Sequence, residues 1–325
     1  MEMRRREFLG VLGAAAAVVP FDASAQQVGR VYRLGFVHPL PRPAAQFAPL
    51  FDGLRRQGFI EGRNLAVDAR GFGSRPERYK DILAEILSSN VDVIFCGGDG
   101  AMRAAREVTQ TVPIVGVADD MVGSGIVPSL ARPGGNATGF SILAPELDGK
   151  RQELLIELVP GARRMAALFD PASKAPAQLK AIVDDARSRG VELSTYPVSR
   201  VEDIVPAIDA AHAAGASALN TLATVVLHAN RQLIIERTAM LRMPAMYQFP
   251  ESAEQGGFVG YGPRLDQIYR QVAVLVARLF RGERPQDVPA EQPTTFELVI
   301  NLKTANSIGL EVPETFLIRA DKVVE

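Results

Sequence analysis

Residues 91–106, VDVIFCGGDGAMRAAR, decide how this chain reads. An apolar run ends at Cys96, four residues (Gly97-Gly98-Asp99-Gly100) turn the chain, and Ala101–Arg106 continues with good helix formers. The pattern predicts a strand buried on both faces, a glycine turn and a helix. A strand that feeds a helix through a short turn is half of a β-α-β unit.

The same grammar extends in both directions. VYRLGFV (31–37) is an apolar strand, and LAVDAR (65–70) alternates apolar with polar residues. PERYKDILAEILSS opens on Pro76 and sets Tyr79, Ile82, Leu83, Ile86 and Leu87 at helical spacing. VPIVGV (112–117) is the next strand. The pattern pauses at ARPGGNATGF (131–140) and restarts with RRMAALFD (163–170), a helix around Leu179, Ile182 and Val183, and VELSTYPV (191–198). ASALNTL (216–222) and MPAMYQF (243–249) supply further strands. A restart of this kind predicts an α/β chain of two similar lobes, each with a parallel sheet and helices on both faces, and a hinge near residues 140–150. GGFVGYG (256–262), the long apolar helix stripe Leu265–Leu279 and the strand in TTFELVINL exceed what two simple lobes need. The chain is therefore expected to cross between lobes more than once.

The first 25 residues have the order of an export signal. Arg4-Arg5-Arg6 is followed by an apolar stretch from Phe8 to Val19, then Pro20 and the small residues Ala23-Ser24-Ala25. Arg5-Arg6-Glu7-Phe8-Leu9 resembles a twin-arginine motif, although Arg4 and Gly10 depart from it. Cleavage after Ala25 would leave about 300 residues, enough for two lobes with real cores, in the periplasm. Net charge is −1 and no basic cluster follows the leader, which argues against a nucleic-acid partner. The single cysteine, Cys96, forms no internal disulfide and reads as a small buried apolar group.

Catalytic patterns are missing. The three histidines, His38, His212 and His228, form no ligand spacing with each other or with Cys96, so no metal and no cofactor is expected. There is no G-x-S-x-G elbow and no G-x-x-x-x-G-K-[ST] phosphate loop. GGDG alone resembles a nucleotide-kinase loop, with Asp99 beneath a phosphate donor. What remains is a set of strand ends, where open α/β sheets bind ligands. In the first lobe they carry His38, then Gly97, Gly98, Asp99 and Gly100, then Asp119 and Asp120, then Ser141. In the second they carry Asp170, the loop Asn220–Thr224 with Thr221, and Tyr247. Glycine lets backbone N–H groups approach a ligand, and a helix N-terminus favours an anion. The competing reading has Gly97 and Gly98 merely turning the chain and Asp99 capping the helix.

Longer segments sharpen this. FIEGRN, VGSGIVPSLARPGGNATGFS, ELDGKRQELLIELVPGARRMAALFDP, YGPRLDQIYRQVA and EQPTTFELVINLKTANSIGLEVPETFLIRADKVVE run in order from about Tyr32 to Glu325. Together they resemble the ABC-transporter substrate-binding proteins, a family that includes members binding tryptophan and other aromatic amino acids. The resemblance implies a type I periplasmic binding protein: two flavodoxin-like, Rossmann-like lobes, joined by three crossings, that close on a small solute. It implies lobes of residues 30–143 plus 256–283 and 144–255 plus 284–325. It also implies an ABC permease and ATPase as partners, a monomer, and no enzymatic activity. The family's glycine-rich ligand loop falls at residues 97–100, with Asp99 where a small hydroxyl residue is usual. Asp119–Gly125 stands at the family's GDPVGSG, Ser141 at its GFS, and Asp170, Tyr247 and Tyr261 at cleft-lining places. With an aromatic amino acid as ligand, Tyr247, Phe249 or Tyr261 would stack on the ring and Asp99, Asp119 or Asp170 would hold the ammonium. An acid at 99 would repel a carboxylate docked on the same helix end, favouring an ammonium or a polyol. A receptor for a sensor kinase reads identically from sequence.

Overall fold

Each of the two runs of alternating strands and helices builds its own sheet. The structure, a computed structural model, describes residues 29–173 and 176–325. The expected export signal at residues 1–25 lies outside the described residues. The first sheet comprises β1 (Tyr32–His38), β2 (Leu65–Phe72), β3 (Val93–Gly97), β4 (Ile114–Ala118) and β5 (Ala137–Ser141). Its order is β2-β1-β3-β4-β5, and every neighbouring pair is parallel. Helices α1 (Ala48–Arg56), α2 (Tyr79–Leu87) and α3 (Asp99–Val108) connect the strands.

Period-two alternation divides each strand between two cores. Val93 and Phe95 of β3 join the core on the α1 side, whereas Ile94 and Cys96 join that beneath α2 and α3. A strand buried on both faces needs an unbroken apolar run, which is what VIFC supplies. Burial pushes the Cys96 thiol far up, so it stays protonated and packs as an apolar group.

The second half contributes α4 (Ala144–Leu158), β6 (Arg164–Phe169), α5 (Pro176–Ser188), β7 (Glu192–Pro197), α6 (Val201–Ala213) and β8 (Leu219–Thr221). Next come α7 (Val225–Ala229), α8 (Arg231–Met240), β9 (Ala245–Tyr247), α9 (Pro250–Glu254), β10 (Val259–Gly262) and α10 (Leu265–Phe280). The chain ends with β11 (Glu297–Asn301), α11 (Leu302–Ile308), α12 (Glu314–Arg319) and β12 (Lys322–Val324). The second sheet runs β12-β11-β10-β9-β8-β6-β7, and only β10 and β11 are antiparallel. Both sheets lie in one compact unit, Val31–Glu325.

Two boundaries differ from the sequence expectation. Residues 256–262 were expected with the first lobe, but β10 is hydrogen-bonded between β9 and β11 in the second sheet. Only α10 returns: Val272, Leu275, Val276 and Leu279 pack in one core with Leu34 and Phe36 of β1. The start of residues 284–325 was expected with the second lobe, yet residues 288–291 stay on the first. Thr138 Oγ1 donates to Val288 O, Ala290 N to Leu130 O and Glu291 N to Gly139 O. Strand and helix were read as one block, but Pro263 lies between them, and proline has no N–H to extend a ladder.

The three crossings therefore run through residues 142–143, 263–264 and 292–296. They lie together, since Ser141 N donates to Glu291 O and a cavity of about 210 Å³ is lined by Pro263, Arg264, Gln292 and Thr295. Leu143 takes φ +56°, a left-handed conformation unfavourable for a leucine, at the first of them.

Candidate functional site

The carboxyl ends of the two sheets face one another across a small cavity. Its first wall consists of His38 at the end of β1, Gly97 and Gly98 at the end of β3, Asp119 after β4 and Ile142 after β5. Gln46, from a single 3-10 turn before α1, and Leu265 and Tyr269 of α10 complete that side. The opposing wall is Thr224, Val225 and His228 around α7, and Gln248 and Phe249 after β9. The volume is about 40 Å³, room for only about three waters. A second, larger cavity of about 290 Å³, called the mouth cavity below, lies between Pro39, Leu40, Ser74 and Glu77 on one side and Ser199, Arg200, Glu202 and Val226 on the other.

Glycine is required where the walls meet. Gly98 adopts φ +91°, and a Cβ there would stand 2.7 Å from Val225 Cγ1 of the other wall. A Cβ on Gly97 would overlap the imidazole of His38. The glycine pair thus serves close approach as well as turning the chain.

A chain of hydrogen bonds crosses the cavity. Leu40 N donates to His38 Nδ1 (3.0 Å), so His38 Nε2 carries the proton and donates to Tyr269 Oη at 3.3 Å. Gln46 Nε2 also donates to Tyr269 Oη (3.0 Å), leaving Gln46 Oε1 to accept from His228 Nε2 at 3.1 Å. The His228 ring stands edge-on to Phe249, with centroids 4.9 Å apart. Burial lowers His38 to about 3. Burial, with Arg231 and His38 adding to it, holds His228 well below its ordinary value.

Both histidines are thus neutral in the folded chain and protonated in the unfolded chain below pH about 6.5. The unfolded state then binds more protons, so stability must fall on acidification through that window, which for His38 extends down to about pH 3. Each histidine contributes up to about 1.4 kcal/mol per pH unit. Urea unfolding between pH 7.5 and 4.5 should show this slope, and His228→Gln should remove one histidine's share of it. An unchanged slope in the variant would contradict a neutral, buried His228.

The sequence-expected residues divide into three groups. His38, Gly97, Gly98 and Asp119 line the cavity. Asp99, Gly100, Asp120, Ser141 and Thr221 lie beside it and hold its backbone. Asp99, only 2 % exposed, opens α3 and accepts the Asp119 N–H at 2.9 Å, so it turns inward and fixes the end of β4. Gly100 sits in the first turn of α3, facing the Tyr79 ring. Asp120 accepts from the N–H groups of Val122 and Gly123, Ser141 Oγ accepts from Met121 N, and Thr221 Oγ1 donates to Met246 O.

Asp170, Tyr247 and Tyr261 are not among the residues that line the cavity. Asp170 accepts from Ala172 N and Ser173 Oγ in its own loop. Tyr247 is buried on the α8 side of the second sheet, its hydroxyl 3.2 Å from Thr238 Oγ1. Its neighbour Gln248, just past the end of β9, is at the cavity together with Phe249. Tyr261 packs against the second lobe's core, with its ring near Phe296. Gln46, Val225, His228, Gln248, Leu265 and Tyr269 escaped the sequence reading as site residues. His228 was weighed only as a metal ligand, and Tyr269 only as part of a helical core stripe, which it also is.

This arrangement can be set beside known proteins. Residues 43–324 match the family described as ABC transporter substrate binding protein. The chain belongs to that family. The family is one of solute-binding proteins rather than enzymes. A tyrosine-binding protein of Clostridioides difficile (strain R20291) is 22 % identical over 261 residues, 79 % of this chain and 74 % of that protein. A solved conserved domain protein from Vibrio cholerae superposes with a TM-score of 0.81 at 25 % identity, covering 90 % of this chain and all of that one. An ABC domain from Streptococcus pneumoniae in complex with L-Trp gives 0.75 at 19 % identity, covering 91 % and 100 %. The type I periplasmic-binding-protein fold of this substrate-binding protein is therefore shared with these structures.

Proposed function

We propose that this substrate-binding protein is the extracytoplasmic solute receptor of an ABC importer. It binds one small polar solute between its lobes, closes around it by motion at the three crossings, and presents it to a permease driven by an ATPase. The observation that carries this reading is the cavity itself. Its walls are the strand ends of two separate sheets, it encloses about 40 Å³, and Gly98 of one wall closely approaches Val225 of the other. Export by residues 1–25, by the twin-arginine route, would place it in the periplasm, where it acts as a monomer without nucleic acid. The tyrosine-binding and L-Trp-bound relatives favour a nitrogen-bearing solute with an apolar or aromatic body. A kinase role for the glycine turn is disfavoured, since the Asp99 carboxylate is engaged by the Asp119 N–H.

A thermal-shift screen of residues 26–325 against amino acids, amines, sugars, nucleosides and organic acids tests the reading. A solute at a hundred times its dissociation constant should stabilise the protein by about 2.7 kcal/mol. A screen in which nothing raises the melting temperature, while ATP is consumed, would overturn it.

A further inference from the structure

Two buried acceptors at the inter-lobe cavity lack a donor, and they bear on what its occupant must offer. Gln248, 4 % exposed, donates through Nε2 to Thr224 O at 3.0 Å. A carbonyl oxygen only accepts, so the amide is held one way round and Oε1 is its acceptor end. That oxygen is buried and has no hydrogen-bond partner among the described residues. His228, 5 % exposed, gives its Nε2–H to Gln46 Oε1, which leaves Nδ1 as an acceptor, likewise without a partner among the described residues. Both residues line the cavity. A buried acceptor that has left water and gained no donor is costly, and a ligand N–H or O–H removes that cost.

Neither acceptor is free to turn away. Arg151 Nη2 donates to Gln248 O at 2.8 Å, which pins the backbone, while the bond to Thr224 pins the amide. The bond that orients His228 crosses from one wall to the other, because Gln46 precedes α1 and His228 lies in α7. Phe249 holds the same ring edge-on at 4.9 Å. Burial keeps His228 neutral, so the Nδ1 lone pair stays available. A rigid site of this kind discriminates strongly, since an occupant without matching donors leaves its acceptors unpaired.

We propose that Gln248 determines specificity in this site: together with His228 it accepts N–H donors from the solute's nitrogen, and a solute without N–H there is rejected. These two acceptors neither require nor exclude a carboxylate elsewhere on the solute, so amines and amino acids meet the same demand. Phe249 and Leu265, which line the same cavity, offer apolar contact beside the donor. This assignment rests on the reading of a nitrogen-bearing solute between the lobes and deepens it by naming the atoms that read the nitrogen.

Calorimetric titration of the protein decides it with L-tryptophan, L-tyrosine and L-leucine, each beside its decarboxylated amine and its desamino acid. A further probe, 3-benzothienyl-L-alanine, removes only the ring N–H of tryptophan. In at least one set the amino acid or amine should bind, and the analogue lacking the N–H should bind at least about a hundredfold more weakly. Loss with the desamino acid assigns the contact to the ammonium, and loss with the benzothienyl analogue assigns it to the ring nitrogen. Gln248→Met should weaken the N–H-bearing form about tenfold and leave the analogue, measured by displacement, unchanged, so that discrimination shrinks. Thr224 O keeps the His228 N–H at 3.0 Å, so the variant's melting temperature should stay within a few degrees. Equal weakening of both forms would make Gln248 a merely structural residue and overturn the proposal. The proposal also falls, and the receptor reading stands, if the analogues bind as well as their parents or if only solutes outside these sets bind. If no solute of any class binds, both fall.

Discussion

Replacing Arg151 by alanine is expected to destabilise the protein by about 3–5 kcal/mol, read as a fall in the urea midpoint at constant slope. Arg151, in α4, is fully buried. Its Nη1 pairs with Asp148 at 2.9 Å, its Nε donates to Tyr261 O at 2.7 Å, and its Nη2 donates to Gln248 O at 2.8 Å. Asp148 Oδ1 in turn accepts from Ala223 N at 2.8 Å. One guanidinium thus ties the ends of β9 and β10, and through Asp148 the segment after β8, to a single helix. Burial lowers the Arg151 pKa, and Asp148 opposes that fall. Truncation would take the counter-charge from the buried Asp148 carboxylate and a side-chain donor from each of two carbonyls, the costly way to break a buried pair. The double variant Arg151→Met, Asp148→Leu should recover part of the loss, because it strands no charge. A single-variant loss below about 1 kcal/mol would show that these strand ends hold their positions without the pair.

Gly98→Ala should weaken solute binding by about tenfold or more, beyond its effect on stability. Two separate penalties meet at this position. The φ of +91° strains any residue with a Cβ in every state of the chain, a cost of about 1–2 kcal/mol to folding. The contact with Val225 Cγ1, 2.7 Å from the added Cβ, exists only when the walls are together. Opening of the lobes, as proposed, would relieve it, so the methyl should act as a wedge against closure. Adding Val225→Ala should therefore restore much of the affinity and none of the backbone strain. Equal affinity of Gly98→Ala and the unaltered protein would mean that the two walls need not meet in the bound state.

Much of the fold was legible because its strands are buried on both faces. VDVIF, RRMAALF and FELVIN are short apolar runs, and each became a strand of the expected sheet. The assignment of β10 failed because apolarity marks a strand but does not say which sheet receives it. The site was legible only where strand ends carry unusual residues, as at His38, Gly97-Gly98 and Asp119. Tyr247 was preferred on chemistry alone, but it is the last residue of β9 and buried in the core, and the cavity is lined by Gln248 and Phe249 just beyond the strand. Gln46 and His228 meet over 182 residues of sequence separation, a contact no local pattern announces. Asp99 was the odd member of the glycine turn. Its inward bond to the Asp119 N–H makes it a brace for a cavity wall.

The central claim is that a solute holds these two lobes closed, and an inter-lobe distance measures it directly. Cysteines at Glu77 and Glu202, exposed on opposite sides of the mouth cavity, can carry spin labels while buried Cys96 stays unreactive. Saturation with the tightest-binding solute should shorten and narrow the distance distribution between the two labels. A distribution that is the same with and without that solute would contradict closure on a ligand.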